Sequence, residues 1–377
     1  MSNPSKEKPG GPAETGPVSG TERRRSGGGR DGRPTRGGRG VAPPQEAGPF
    51  GLSLDAGLAA DARERLAEVE ALLLDCVRGE DPLLSDASKH LVEAGGKRFR
   101  PMLVLLASHF GDPSAPGIVP AAVVVELTHL GTLYHDDVMD EATVRRGQQS
   151  ANSRWTNTVA ILTGDYLFAR ASDLLADLGP DAVRIQARAF GRLVRGQIQE
   201  TVGPRPGADQ LEHYLQVVAD KTGSLIAVSG HFGALLAGAS PQTVRTVTSA
   251  CEKIGVAFQL SDDILDIASE AEESGKTPGT DLREGIRTLP MHHVLAGVGS
   301  GDADDVRLRG LLVQDLTDDA LHAEALALLR AHPAMDRARA DLHRWSDEAR
   351  RELLTLPEIP AREALTHLCD YVITRTG

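Results

Sequence analysis

Cysteine is scarce in this sequence, with 3 residues among 377. Cys76, Cys251 and Cys369 lie far apart, and neither a Cys-x-x-Cys pair nor a nearby pair of histidines accompanies them. This spacing excludes a disulfide framework and a cysteine-based zinc site. It predicts a chain that folds in a reducing compartment such as the cytoplasm, with each thiol buried as a small apolar group.

Aromatic residues and long apolar runs are also scarce. Phe, Trp and Tyr make up 3% of the chain. The most apolar stretch, residues 118–127, contains Glu126 and is soon followed by His129, whereas a membrane-spanning helix needs about 18 or more consecutive apolar residues. The amino-terminal segment has no apolar region of the kind that secretory signals carry. We therefore expect neither an integral membrane protein nor a secreted one.

Composition and charge divide the chain at about residue 50. Residues 1–50 contain 12 Gly and 8 Pro, and basic side chains outnumber acidic ones nine to five. Such a segment buries too little apolar surface to offset the entropy of ordering, so we predict a disordered tail. RNA binding by this Arg- and Gly-rich tail is the less favoured alternative to a solvated extension. The net charge of the whole chain is −12, so the remainder is strongly acidic and we expect no nucleic-acid partner.

Residues 51–377 carry the periodicity of helices. Apolar residues recur three and four positions apart, as at Leu66, Val69, Leu72 and Leu73, and Gly and Pro mark the joints between segments. No run of alternating β-branched residues lies between turn signals, so strands are not predicted. The pattern favours one all-α domain over residues 51–377, built as a single large helix bundle.

One short acidic motif occurs twice. Two adjacent aspartates are followed, three positions after the second, by another, and on a helix the first and last lie one turn apart on the same face. Like charges so close repel unless a cation lies between them, and Mg²⁺ bound with a phosphorylated substrate needs few carboxylate ligands. Apolar residues surround both copies, which favours the top of a buried core over a solvated helix face. The predicted metal ligands are Asp136, Asp137 and Asp140 in HDDVMDE, and Asp262, Asp263 and Asp266 in SDDILDI.

Basic residues occur where a polyanionic substrate would need them. Residues 95–101, GGKRFRP, place three cations after a glycine turn, an arrangement suited to a diphosphate. Arg145 and Arg146 follow the first acidic motif, although their simplest role is to interact with the helix dipole. Acidic pairs, cationic clamps and an apolar interior together indicate an allylic or alkyl diphosphate substrate. The further candidates are Lys221, Thr222 and Lys276.

Six segments carry a family resemblance: GGKRFRP (95–101), ELTHLGTLYHDDVMDEATVRRG (126–147), LTGDYLFARAS (162–172), DKTGSL (220–225), FQLSDDILD (258–266) and GKTPGTDLREG (275–285). From residue 60 onward the sequence resembles the trans-isoprenyl diphosphate synthase (polyprenyl synthetase) family, in particular its bacterial medium- and long-chain members. The resemblance implies an isoprenoid synthase-like bundle around a central cavity. It also implies an Mg²⁺-dependent, cytoplasmic homodimer that condenses isopentenyl diphosphate head-to-tail with an allylic diphosphate.

The same resemblance implies roles for individual residues. Asp136, Asp140 and Asp262 would be the main Mg²⁺ ligands. Ile286 stands where the family often has a lysine, so one phosphate contact would be missing or moved to Arg287. The residues implied in catalysis are Asp136, Asp137, Asp140, Lys221, Asp262 and Asp263. Those implied in binding isopentenyl diphosphate are Lys97, Arg100, His129 and Arg146. Those implied in binding the allylic diphosphate are Arg145, Lys221, Thr222, Gln259 and Lys276.

The length of the product is predicted from the residues four and five positions before Asp136. In the family, bulky aromatics at these positions close the pocket under short products, whereas this chain has Thr132 and Gly131. This favours an all-trans heptaprenyl to nonaprenyl product, the side chain of a quinone, and loose membrane association for its release. If Phe168 or Phe190 on a neighbouring helix supplies a floor, geranylgeranyl or farnesyl diphosphate becomes the alternative product.

Two other functions stay open from the sequence. A class I terpene cyclase would share the helical fold and the first acidic motif, but its second metal motif would differ from SDDILDI. A non-catalytic subunit of a two-component synthase would usually have lost the acidic clusters, which are both intact.

Overall fold

A computed structural model describes residues 54–79, 81–269, 278–299 and 301–376. The predicted tail (residues 1–50) and Lys276 lie outside these ranges. Within them the chain is helical almost throughout, which confirms the all-α prediction. Glycine and proline mark the joints as expected; Gly179-Pro180, for example, separates two long helices.

The helices fall into two groups along the chain. The first group comprises α1 (Ala56–Cys76), α2 (Pro82–Glu93), α3 (Phe99–Ser108), α4 (Ile118–Met139), α5 (Ala151–Arg154), α6 (Asn157–Leu178) and α7 (Pro180–Val202). The second comprises α8 (Gln210–Val218), a π-helical turn (Ala219–Gly223), α9 (Ser224–Leu236), α10 (Pro241–Ala268), α11 (Thr280–Arg283), α12 (Leu289–Leu295), α13 (Ala303–Leu311), α14 (Asp319–Ala331), α15 (Ala334–Leu353) and α16 (Pro360–Thr374).

A short hairpin corrects the prediction that the chain has no strands. Strands β1 (Val144–Arg145) and β2 (Gln148–Gln149) pair antiparallel directly after the first acidic motif. The turn between them consists of Arg146 and Gly147, both with positive φ (52° and 74°), which is the conformation that two-residue hairpins require. Two residues per strand are too few to produce an alternating pattern, so the sequence carried no strand signal.

Helix α4 passes through the middle of the bundle and carries the first acidic motif at its carboxyl end. It packs against α1, α3, α6 and α9, and most of its residues are buried. By length and composition alone α4 would be apolar enough to cross a membrane, but here other helices surround it. Its hydropathy therefore reflects burial on nearly all sides within the core.

The second acidic motif lies at the end of α10. This helix begins with Pro241 in its first turn, and the Ser240 hydroxyl caps it by accepting a hydrogen bond from the amide of Thr243 at 3.1 Å. Its apolar faces pack against α9 on one side and α15 on the other. The bundle thus holds the carboxyl ends of α4 and α10 in fixed positions.

The three cysteines are buried as free thiols, as the sequence predicts. Burial raises the pKa of Cys251 and Cys369 to about 12. These side chains therefore act as packing groups rather than as nucleophiles.

Candidate functional site

A cavity of about 350 Å³ opens between the ends of α4 and α10. Its lining combines polar and apolar side chains. The polar lining consists of Lys97, Arg98, Arg100, Glu126, His129, Thr132, Asp136, Arg146, Gln197, Lys221, Thr222, Gln259 and Asp262. The apolar lining consists of Phe99, Leu193, Leu225, Ile226 and Phe258. Most of the predicted site residues thus meet in one place, although they are spread over 166 positions of sequence, from 97 to 262.

One wall of the cavity is basic, with Glu126 as the nearby counter-charge. The Nε atom of Arg100 is buried and has no hydrogen-bond partner within the described part of the chain. Burial, together with the nearby charge of Arg146, lowers the pKa of Arg100 to about 10. Burial and the Arg100 and Arg146 charges also hold the pKa of His129 well below its usual value, so this imidazole is neutral at pH 7. Such a wall is prepared for an anion.

Arg98, which the sequence analysis did not select, organises this wall. Its buried guanidinium donates to Glu126 at 2.9 Å, to the carbonyl of Val92 at 3.0 Å and to Glu70 at 2.5 Å. These bonds connect three other helices, α1, α4 and the end of α2, to the start of α3. The Glu126 carboxylate also lies 3.9 Å from the Arg146 guanidinium, so this one acidic side chain attracts both Arg98 and Arg146. The sequence signal for this role of Arg98 was its potential partner Glu126, an acidic residue within an otherwise apolar helix.

Backbone strain also concentrates here. Among the described residues other than glycine, positive φ occurs at Arg98 (50°), Glu141 (50°) and Arg146 (52°). Arg98 directly precedes α3, and the other two follow the first acidic motif. Side chains with a Cβ rarely adopt this conformation, and it persists where surrounding contacts impose it, often at functional sites.

The first acidic motif places its three carboxylates in different surroundings. Asp136 lines the cavity, where burial raises its pKa to about 6, while Lys221 opposes that rise and Asp140 adds to it. Asp140 is exposed at the carboxyl end of α4. Asp137 is enclosed outside the cavity lining and accepts a hydrogen bond from Nε of Arg145 at 2.6 Å. Asp137 therefore fixes the hairpin and its arginine rather than facing the cavity.

The second acidic motif repeats this division of roles. Asp262 lines the cavity, whereas Asp263 is buried and accepts hydrogen bonds from the Tyr214 hydroxyl and from the amide of Leu289 at 3.1 Å. Burial raises the pKa of Asp263 to about 6. The carboxylate of Asp266 accepts from the amides of Thr280 and Asp281 at 3.1 and 3.2 Å and so caps α11.

A π-helical turn presents Lys221 and Thr222 to the cavity. It interrupts an otherwise continuous helix formed by α8 and α9. The Lys221 ammonium contacts Glu200 at 2.5 Å, and the Thr222 hydroxyl donates to the Gln259 carbonyl at 3.2 Å. Gln259 continues the chain of hydrogen bonds to Asp263 at 3.1 Å. Single π turns of this kind are frequent at functional sites, and no residue pattern would have predicted it.

The carboxyl end of the chain contributes an arginine that sequence reasoning missed. Arg375 follows α16, and its guanidinium contacts Asp262 and lies 4.4 Å above the centre of the Phe258 ring. No charge pattern around Arg375 marked it in the sequence, because it is a single arginine among neutral residues. Arg145, a predicted participant, lies outside the cavity lining, as do the exposed Ile286 and Arg287.

Over the ranges that the structure describes, no three or more His, Cys, Asp or Glu side chains form a complete metal cage. The acidic groups instead approach the cavity singly, from α4 and from α10. This arrangement can hold a cation only together with water or substrate oxygens.

Comparison with known proteins identifies the family. The polyprenyl synthetase family model matches residues 81–329. The chain belongs to the polyprenyl synthetase family. The resemblance seen in the sequence is thereby confirmed, and the protein is a prenyltransferase of isoprenoid biosynthesis.

Individual members of the polyprenyl synthetase family are similar over most of the chain. Nonaprenyl diphosphate synthase of Mycobacterium tuberculosis is 50% identical over 324 residues, covering 86% of this chain and 96% of that protein. Heptaprenyl diphosphate synthase component 2 of Geobacillus stearothermophilus is 37% identical, covering 81% and 94%. The crystal structure of geranylgeranyl pyrophosphate synthase from Corynebacterium glutamicum, complexed with calcium and isoprenyl diphosphate, superposes with a TM-score of 0.77 at 45% identity, covering 86% and 99%.

Proposed function

We propose that this polyprenyl synthetase condenses isopentenyl diphosphate head-to-tail with an allylic diphosphate to give an all-trans product of heptaprenyl to nonaprenyl length. The observation that carries the proposal is the cavity itself. Its basic wall holds a buried Arg100 whose Nε has no partner among the described residues, Asp136 and Asp262 also line it, and the rest of its lining includes apolar side chains. A diphosphate with a hydrocarbon tail matches all three surfaces.

The acidic residues fit Mg²⁺ as the cofactor. Asp136 and Asp262 direct hard oxygen donors to the same cavity from two helices, and Asp140 and Asp266 lie one turn beyond them. Mg²⁺ usually keeps several waters and takes one or two carboxylates plus substrate phosphates, so an incomplete protein cage suits it. When bound, Mg²⁺ would neutralise charge on the diphosphate leaving group. Asp137 and Asp263 support this site from outside the cavity.

Other residues of the cavity bind the diphosphate groups of the two substrates. Lys97, Arg100 and Arg146, beside the neutral His129, hold the diphosphate of isopentenyl diphosphate at the basic wall. Lys221, Thr222 and Gln259 hold the allylic diphosphate, together with Lys276 and Arg145 as the family resemblance implies. As the allylic C–O bond breaks, negative charge grows on the diphosphate and these cations stabilise it.

The apolar lining protects the other half of the ionised substrate. Leu193, Leu225 and Ile226 exclude water from the allylic cation until the double bond of isopentenyl diphosphate attacks it. This attack forms a carbon–carbon bond and moves the positive charge onto the isopentenyl unit, whose adjacent carbon then loses a proton to the departing diphosphate and so forms the new double bond. Two substrates thus yield one longer allylic diphosphate and one free diphosphate.

The product is a long chain because the residues nearest Asp136 on α4 are small. Thr132 lines the cavity, and Gly131 carries no side chain, so at this level the Phe168 ring of α6 occupies the space beside α4. The similarity to a nonaprenyl diphosphate synthase supports this length. The similarity to a geranylgeranyl pyrophosphate synthase keeps a twenty-carbon product as the second candidate.

The test is a product ladder. The purified protein is incubated with Mg²⁺, labelled isopentenyl diphosphate and either farnesyl or geranylgeranyl diphosphate, and dephosphorylated products are separated by length. We expect products of seven to nine isoprene units, absent with Asp136→Ala and retained with Asp177→Ala, which changes an exposed aspartate on α6. A sole twenty-carbon product would overturn the long-chain assignment. No elongation by a folded protein would favour a non-catalytic subunit or a cyclase.

We propose a homodimer, present in the cytoplasm and loosely associated with membranes during product release. Support for the dimer comes from α7, where Val183, Val194, Ile198 and Val202 form an apolar stripe that is 39–78% exposed. An apolar stripe of this length is unusual for a free surface and suits a second copy. Light scattering should give twice the mass of one chain, and a Val194→Glu, Ile198→Glu double variant should give a single chain.

A further inference from the structure

The π-helical turn between α8 and α9 is enclosed by close backbone contacts on two sides. A Cβ atom on Gly196 of α7 would lie 2.6 Å from the amide nitrogen of Lys221, and one on Gly255 of α10 would lie 2.9 Å from Cα of Gly223. Contacts this close leave no room for a side chain, so glycine is needed on both helices. The turn is therefore held between α7 and α10.

One acidic side chain within the turn anchors it to α7. Asp220 is buried, and its carboxylate accepts hydrogen bonds from Nε of Arg192 at 2.9 Å and from Nε and Nη2 of Arg195 at 2.9 and 2.7 Å. Arg192 also donates to Glu252 of α10 at 2.5 Å. Although burial opposes it, the hydrogen bonds from both arginines hold the pKa of Asp220 below its usual range, so this carboxylate is charged at pH 7. Asp220, Arg192 and Arg195 together form the Asp220 clamp.

The Asp220 clamp lies directly before the two residues that the turn presents to the cavity, Lys221 and Thr222. A π turn contains one residue more than the regular helix around it, and each residue of an α-helix rotates the next by about 100°, so relaxing the turn would redirect these side chains. Helix α7 also supplies Glu200, which contacts the Lys221 ammonium at 2.5 Å. The same helix thus fixes the backbone of the turn and receives the lysine side chain.

A buried ion pair gives a protein little net stability compared with apolar residues of similar volume, yet this chain buries one beside the backbone of Lys221. We propose that Arg192, Arg195 and Asp220 are positioning residues, which hold the π turn in the conformation that directs Lys221 and Thr222 to the allylic diphosphate. This inference rests on the proposed binding role of those two residues. The clamp should act on the allylic substrate alone, because the wall proposed for isopentenyl diphosphate is built from α3, the residues before it and the hairpin.

The test compares the KM values of both substrates for wild type and for Asp220→Asn, which keeps the size of the side chain but removes its charge. The guanidiniums of Arg192 and Arg195 are 32% and 55% exposed, so they can turn to water and the variant should fold. We expect the KM for farnesyl diphosphate to rise about tenfold, because the displaced Lys221 and Thr222 lose contacts with its diphosphate. The KM for isopentenyl diphosphate should change less than about twofold.

Asp305→Asn is the matched control. Asp305 is also buried and accepts hydrogen bonds from Nε and Nη2 of Arg309 at 2.9 and 3.0 Å, but it lies on α13 and outside the cavity lining. Both KM values should stay within about twofold of wild type in this variant, whatever its effect on stability. A variant that is only destabilised loses active protein, not affinity for one substrate, so a selective rise for farnesyl diphosphate indicates misplaced binding groups.

A double-mutant cycle tests whether the clamp acts through Lys221. When Asp220→Asn is added to Lys221→Ala, the KM for farnesyl diphosphate should rise less than about threefold further, because only Thr222 remains to be misplaced. Arg195→Lys keeps the charge but loses the fork of two hydrogen bonds, so by itself it should raise this KM about threefold. If Asp220→Asn does not fold, as judged by circular dichroism, an unchanged KM in Arg195→Lys would refute the proposal.

Failure of the clamp and failure of the proposed function give different results. If wild type elongates, equal rises in the two KM values or additive effects in the cycle overturn the positioning role and leave the proposed function standing. If wild type does not elongate, the proposed function fails, and calorimetric titration with farnesyl diphosphate and Mg²⁺ replaces the KM. A Kd that Asp220→Asn raises about tenfold would still support the clamp, and an unchanged Kd would refute it.

Discussion

The two acidic motifs share one spacing and both end a long helix, yet they differ in how their carboxylates are engaged. In each motif the second aspartate is buried and anchors a neighbouring segment: Asp137 holds Arg145, and Asp263 holds Tyr214 and the start of α12. The first aspartates both line the cavity but differ in their partners, because Asp136 lies near Lys221 whereas Asp262 contacts Arg375. One sequence pattern can therefore give two sites that differ in how available the first carboxylate is to a cation.

The largest expected effect follows from the shared part of the motifs. Replacing either cavity-facing carboxylate, by Asp136→Asn or Asp262→Asn, should lower kcat on the order of 10³-fold, since charge stabilisation in the transition state is lost. The measurement is initial rate of labelled isopentenyl diphosphate incorporation, with Asp177→Asn as the control. A variant within tenfold of wild type would show that its motif is not needed.

A second difference concerns stability. Asp263→Ala leaves the Tyr214 hydroxyl and the Leu289 amide without their acceptor in a buried place, which should cost about 2–3 kcal/mol in the free energy of unfolding. Asp137→Ala should cost less, about 1 kcal/mol, because the partly exposed Arg145 can turn to water. Urea unfolding monitored by circular dichroism gives both values. Equal losses of unfolding free energy in the two variants would show that Asp137 and Asp263 do not differ in their contribution to stability.

The contact between Arg375 and Asp262 allows a direct test of whether the second acidic motif is less available to a cation. Because the Asp262 carboxylate is about half exposed, its pairing with Arg375 is worth at most about 1 kcal/mol, so Arg375→Ala should tighten Mg²⁺ binding by about twofold to fivefold. Calorimetric titration with Mg²⁺ in the presence of inorganic diphosphate measures this change. Arg362→Ala, which removes an arginine from α16, the helix that Arg375 follows, should leave binding unchanged. Weaker binding after the Arg375 change would reverse the interpretation.

The smallest expected effect depends on pH. Burial raises the pKa of Asp136 to about 6, above its ordinary value of 3.8, so the folded state is penalised as pH rises from about 4 to 6 and the penalty persists above 6. Without metal, Asp136→Asn should therefore melt up to about 3 °C higher than wild type at pH 8. The gap should close toward pH 4. A difference in melting temperature that stays constant between pH 4 and pH 8 would show that the raised pKa of Asp136 does not cause it.

Much of the fold was predictable because local rules decide it. The joints at Gly179-Pro180 and Ser240-Pro241 end and begin helices for reasons contained in those residues. The hairpin at Arg146-Gly147 was not predicted, since its two-residue strands are imposed by the packing around Asp137 and Arg145. The π turn at Lys221 was missed for a similar reason. Gly196 on α7 lets the backbone of this turn approach so closely that a Cβ there would lie 2.6 Å from the Lys221 amide nitrogen.

The sequence by itself determined the helical class, the two acidic motifs, the basic segments around them and the family that their order indicates. These follow from periodicity and from short motifs, which act within a few residues. Only the tertiary structure decided which carboxylates face the cavity, that Arg98 and Arg375 take part, and that Phe168 fills the space beside Gly131. Those outcomes depend on contacts between helices distant in the chain, whose packing no local pattern specifies.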